Sequence, residues 1–127
     1  MKILLINKFL YPKGGDALST IETGKLLLQN GHQVYFWGMK HYDNPDYFYF
    51  KYFVENIDYY KKLSLKEKIN TVLKILYSLE AKKKIEKFIN EIVKPDIVHL
   101  NNFYHQISPS ILDVFEKYKI PTVMTLH

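Results

Sequence analysis

The sequence predicts an α/β fold, a doubly wound and mostly parallel sheet with helices on both faces. Three observations lead there. Short, continuously apolar runs alternate with longer segments of helical period, and turn-forming residues stand at the joins. The runs lack the in-and-out alternation of a half-exposed strand, so each reads as a strand covered on both sides. Strands that alternate with helices are best accommodated by parallel crossovers.

The elements follow in chain order. Residues 2–7 (KILLIN) are the first strand, and residues 9–15, with Pro12 and the pair Gly14-Gly15, are a loop. From Asp16, a plausible N-cap, the positions Ala17, Ile21, Gly24 and Leu28 recur at helical spacing, with Leu18 and Leu27 widening the stripe. Asn30-Gly31 is a stop signal, because glycine readily takes the left-handed conformation that closes a helix. Residues 34–37 (VYFW) make a second strand, parallel to the first. Residues 41–45 (HYDNP) are turn chemistry, and 50–54 (FKYFV) are expected to be a third, edge strand. From Leu65 to Ile92 apolar residues step by three and four, giving one long helix or two consecutive ones with the lysines in water. Residues 96–100 (DIVHL) form the next strand. Ser108-Pro109 opens a helix that runs to about Lys119, and residues 122–126 (TVMTL) are the last strand.

Composition narrows the function. The 127 residues fit one domain, with no cysteine, 13 acidic residues and 18 basic residues, all of them lysine, for a formal charge of +5. The missing cysteine excludes thiolate zinc sites, iron–sulfur clusters and cysteine nucleophiles. The N-terminal apolar run is too short for an export signal, and no run approaches the roughly 20 residues of a membrane span, so a soluble, cytoplasmic protein is expected. Residues 61–94 hold ten lysines against four glutamates, so the positive charge belongs to one segment. Its lysines, Lys61, Lys62, Lys82, Lys83 and Lys84 among them, form either a solvated helix face or a contact with an anionic membrane surface. The lack of arginine argues against nucleic acid as a partner. Twelve of the aromatic residues lie between Tyr35 and Tyr60, where they would cover a sheet edge.

In sheets of this kind ligands bind beyond the C-terminal ends of the strands, where strand order reverses. Three candidates sit there: residues 8–16 after the first strand, residues 99–106 after the fourth, and His127 after the last. Gly14-Gly15, between a strand and a helix N-terminus, is either a tight structural turn or a loop that lets a diphosphate approach the backbone. Asp16 places a carboxylate at the same spot. His99, Asn101, Asn102 and His105, in HLNNFYHQ, supply the neutral donors and acceptors that a hydroxyl-rich ligand needs. They are otherwise hydrogen-bonded structural residues, and with no carboxylate among them they do not make a metal site. His127 follows the last strand, and its unperturbed pKa near neutrality suits proton transfer.

The order of these pieces resembles the N-terminal domain of family 4 glycosyltransferases. The resemblance runs through the Gly14-Gly15 loop, the helix ending at Asn30-Gly31-His32, the segments 94–99 (KPDIVH) and 108–112 (SPSIL), and finally 120–127 (IPTVMTLH). It is nearest to members that assemble bacterial cell-surface polysaccharide. It implies a GT-B fold, two Rossmann-like domains facing across a cleft, of which residues 1–127 would be the acceptor-side N-terminal domain. It also implies retaining transfer of a sugar from a nucleotide-diphosphate sugar to a glycan or lipid-linked acceptor, with no cofactor and no required metal. Gly14 and Gly15 would approach the donor, and His127 would be the catalytic contact to the donor sugar. His99 and Asn101 would line the cleft, with Asn102 and His105 beside them. Asp16 departs from the small residue usual after the glycine pair. The nucleotide-gripping second domain has no counterpart in these residues, so the chain alone is expected to be inactive. A peripheral place at the inner face of the cell membrane is expected. The rival expectation is a non-catalytic α/β module that binds a sugar, a nucleotide or a protein.

Overall fold

Four strands, β1 (Lys2–Ile6), β2 (Gln33–Trp37), β3 (Ile97–Leu100) and β4 (Thr122–Met124), join in one sheet in the order β2-β1-β3-β4. Each neighbouring pair is parallel, as the apolar runs predict. The computed structural model describes residues 1–55, 65–69, 79–103, 107 and 109–125. Its helices are α1 (Gly15–Gln29), α2 (Leu79–Glu91) and α3 (Ile111–Lys117), and residues 65–69 are also helical. No helix among the described residues is long and apolar enough to cross a membrane.

Strand β1 lies at the centre of the sheet, with Leu4, Leu5 and Ile6 fully buried. On one face Leu4, Ile6, Val98 and Leu100 pack with Ile85 and Phe88 of α2 and Val114 and Phe115 of α3. Each such side chain contributes about 1.5–3 kcal/mol by leaving water. Helix α1 covers the other face by part of the expected stripe, which keeps Ala17 and Gly24. Its buried residues are Ala17, Thr20 and Gly24, while Leu18 and Leu28 are exposed. The reason is proximity: a Cβ on Gly24 would lie 2.4 Å from Phe36 Cζ and 3.3 Å from Leu5 Cδ1. The helix rests directly on those two side chains, so only small residues fit beneath it.

The helix ends confirm one signal and correct two. Gly31 takes φ +83°, and the N–H groups of Gly31 and His32 donate to Leu28 and Leu27 at 3.1 Å, the double closure expected of Asn30-Gly31. At the other end Gly14, not Asp16, holds the N-cap position, and Asp16 lies in the first turn. Helix α3 starts at Ile111, after a tighter turn in which Leu112 and Asp113 donate to Pro109 and Ser110. Ser108 lies outside the described residues.

The expected third strand at 50–54 is absent. Phe50–Tyr52 form a 3-10 turn, and Val54 makes a single parallel bridge to Met39. Side chains close the outer edge of β2 instead. The Phe36 N–H donates to the Tyr49 hydroxyl oxygen at 3.0 Å, and Trp37 Nε1 donates to the Tyr52 carbonyl at 2.9 Å. The rings of Tyr49 and Tyr52 then meet Phe88 of α2, with centroids 5.3 and 6.1 Å away. The aromatic segment thus covers the sheet edge with rings in place of a strand.

Candidate functional site

Strand β1 is followed in sequence by β2 on one side, and the chain then returns to lay β3 on the other. Strand order therefore reverses between β1 and β3, and the loops leaving these two strands diverge at that crevice. Hydrogen bonds bind the loops together. The Lys8 N–H donates to the Asn102 carbonyl at 2.6 Å, and the Lys8 carbonyl accepts from the Met39 N–H at 3.1 Å. Asn7 is fully buried; its Oδ1 accepts the Asn102 N–H at 3.0 Å, and its Nδ2 donates to the Phe9 carbonyl at 2.6 Å. Residues just past β1, β2 and β3 are thereby held in one frame.

Two cations stand in front of this frame. The ammonium groups of Lys8 and Lys13 lie 5.0 and 4.0 Å from the centroid of the Phe9 ring, within cation–π range. Partial burial holds the Lys8 ammonium below the ordinary lysine range, and Lys13 adds repulsion while Asp16 opposes the shift. The Asp16 carboxylate accepts from Asn102 Nδ2 at 3.2 Å, so it serves the loop-to-loop frame that the sequence reading missed.

Gly14 and Gly15 lie at the N-terminus of α1 beside Lys13. Gly15 has no positive φ, and a Cβ there would meet nothing within 4 Å. The chain's own packing therefore makes no demand for glycine at that position. His99 shares a register row with Leu5 and Val123, and its Nε2 is 2.7 Å from Thr125 Oγ1. Asn101 is buried, with its N–H donating to the Ile6 carbonyl at 2.9 Å. Asn102 is half-buried and is the member of the pair that meets the glycine loop. His105 and His127 lie outside the described residues, as do Lys61 and Lys62.

The other proposed membrane lysines divide. Lys83 is exposed and Lys82 is half-buried. Lys84 turns inward: its ammonium donates to the Phe53 carbonyl at 2.9 Å and pairs with Glu80 at 3.0 Å and Glu55 at 3.6 Å. Glu55 also pairs with Lys40 at 2.6 Å, and the Lys40 hydrogen bond holds its carboxyl below the usual range.

Sequence reasoning missed Asn7 as a member of the site and included Lys8 and Lys13 only as part of the candidate loop 8–16, with no role of their own. The only local signal was polarity: Asn7 and Lys8 end an apolar strand, and Lys13 precedes the glycine pair. It also read residues 41–45 as turn chemistry alone. In the structure the His41 ring is stacked on both Tyr11 and Tyr42, each with centroids 4.3 Å away, which ties the glycine loop to the loop after β2. No family model, curated protein or solved structure matches this chain.

Proposed function

We propose that this chain is the acceptor-side N-terminal part of a retaining glycosyltransferase, which moves a sugar from a nucleotide-diphosphate sugar to a glycan or lipid-linked acceptor in cell-surface polysaccharide synthesis. One observation carries the reading. At the reversal of strand order, a glycine that the fold does not require opens helix α1 beside two lysines. Helix N-terminal N–H groups and the two ammoniums favour a diphosphate there, and the missing side chain leaves it room. The contact with Asn102 and the field of Lys8 offset the negative charge of Asp16. His99 and Asn102 supply neutral hydrogen-bonding groups for a sugar, and His127 is the group assigned to the reaction centre.

One wall does not make a transferase. Donor and acceptor must be held together in attack geometry, and losing that positioning forfeits up to about 7–11 kcal/mol of barrier lowering. The 127-residue chain accordingly binds donor weakly and does not turn over. The test is to titrate isotope-labelled protein with a panel of uridine, guanosine and thymidine diphosphate sugars, following the amide resonances. Saturable shifts at residues 8–16 and 99–102 with at least one donor are expected. Silence with every donor would overturn the transferase reading and leave a non-catalytic module, and turnover by the purified chain would overturn the inactivity. Peripheral binding to anionic lipid completes the proposal; absence of flotation with phosphatidylglycerol vesicles at low salt would remove it.

A further inference from the structure

Past the end of β2 the chain from Lys40 to Glu55 folds around a cavity of about 900 Å³, within the range of pockets that hold small organic ligands. Ring surfaces dominate its exposed wall. Tyr42, Phe48 and Phe50 line the cavity and are 90, 79 and 59% exposed, a concentration of apolar area in water that marks a binding surface. Two of the rings are held in place by ring contacts. Tyr42 is stacked on His41, which is stacked in turn on Tyr11, and Phe48 stands edge-on to Tyr49 with centroids 5.0 Å apart. Rings oriented before binding lose little freedom on binding.

The polar lining of the cavity is mixed: the Tyr42 and Tyr47 phenols can donate and accept, and Asp46 accepts. Asn44 is fixed at the cavity wall by donating its Nδ2 to the Met39 carbonyl at 2.9 Å. Asp46 has no ion pair among the described residues, whereas Glu55 is taken by Lys40 and Lys84. Donors and acceptors are thus both present, and with Lys84 paired to Glu55 the charges of Lys40, Lys84, Asp46 and Glu55 cancel. No excess of positive charge is present there to hold an anionic ligand or an anionic lipid surface. A quaternary ammonium would suit the rings and Asp46, but its ammonium head has no hydrogen-bonding group for the Tyr42 and Tyr47 phenols and occupies only a small part of the volume. A pyranose fits this lining: it offers a C–H face for an aromatic ring and, around its rim, O–H groups that both donate and accept.

We propose that this cavity is a carbohydrate-binding site for a neutral sugar of about disaccharide size. It stands without the transferase reading, because it depends only on the loop after β2. The test uses the intact 127-residue chain with maltose, lactose and diacetylchitobiose, followed by saturation-transfer and amide-resonance titration, with choline chloride and phosphatidylglycerol vesicles as competing arms. At least one disaccharide is expected to saturate in the millimolar range and to shift residues 40–55. Tyr42→Ala and Phe48→Ala, at exposed positions that leave the core intact, should each weaken it by about tenfold. The proposal is overturned if no disaccharide saturates, if only choline or only vesicles bind, or if both variants bind as the parent does. Disaccharide binding with no donor shift at residues 8–16 would remove the transferase reading and leave this site standing.

Discussion

Gly38→Ala and Gly15→Ala place the same methyl group in opposite surroundings. At Gly38 the new Cβ would lie 2.2 Å from the Asn7 carbonyl oxygen and 3.2 Å from Leu10 Cγ. Asn7 cannot retreat cheaply: its N–H donates to the Trp37 carbonyl at 3.2 Å, and its side chain is bonded to both Asn102 and Phe9. Overpacking of this kind costs about 1–3 kcal/mol. The smaller conformational freedom of alanine in the unfolded chain offsets about 0.4–1 kcal/mol of it. The net expectation is destabilisation by about 1–2 kcal/mol, read as a lower urea midpoint at unchanged m-value. Resonances of Lys8 and Asn102 should move as well, because the displaced carbonyl belongs to the frame that holds them. At Gly15 the methyl meets nothing within 4 Å, so Gly15→Ala should be neutral or stabilising by up to about 1 kcal/mol. Under the transferase proposal the same variant should weaken donor binding, which separates its effect on the fold from its effect on the site. A Gly38→Ala protein as stable as the parent would refute the reasoning, since it would mean that the exits of β1 and β2 are not rigidly joined.

Asn7→Ala strips the Asn102 N–H and the Phe9 carbonyl of their partners at a fully buried position, and a loss of about 2–3 kcal/mol is expected by chemical denaturation. Lys119 closes α3 with φ +55°, a conformation that costs a side chain about 1 kcal/mol; Lys119→Gly should raise stability by about 0.5–1 kcal/mol, and a lower melting temperature would count against it. Burial pushes the Tyr47 and Tyr49 phenols up to about 12 from 10.0. Their contribution is thus full below pH 10.0 and lost as pH rises through about 12, so alkaline titration should show phenolate absorbance and loss of helix together. Ionisation of both phenols near pH 10.0 with the fold intact would contradict this. Lys84→Ala should cost about 1 kcal/mol through the contacts to Phe53, Glu55 and Glu80, while Lys83→Ala at an exposed position should be silent in the same melt.

The parallel sheet was legible because strands buried on both faces must be written as unbroken apolar runs, as 2–7 and 96–100 are. The stop at Asn30-Gly31 was legible because its chemistry is local. The turn at Phe50–Tyr52 was not, since FKYFV suits a strand equally well. What excludes a strand there is the Tyr49 hydroxyl on the Phe36 N–H and the Trp37 indole on the Tyr52 carbonyl, contacts between distant positions. The same distinction divides the candidate site. The alternation of strands and helices placed the glycine loop and the residues after β3 at one edge, and there they are joined. Asn7 and Asp16 were missed or misassigned because their partner, Asn102, lies 95 and 86 residues away. The stripe of α1 was legible only in part, with Ala17 and Gly24 buried as expected and Leu18 and Leu28 exposed, for a related reason: hydrophobicity marks which residues favour burial, whereas the closeness of Gly24 to Phe36 decides which ones fit.

The central position of β1 has a kinetic consequence. Its partners begin at Gln33 on one side and at Ile97 on the other, and the Lys2 N–H donates to the Asp96 carboxylate at 2.7 Å. At translation rates of about 5–20 residues per second, roughly 5–20 s separate the synthesis of β1 from that of β3. During that interval the nascent chain carries a β1-β2 pair with one open edge, and the residues of α3 that cover its apolar face have not been made. Contacts of such long sequence separation also make sheet closure slow. The emerging polypeptide is therefore most open to chaperone capture, or to pairing with a neighbouring chain, along the outer edge of its first strand.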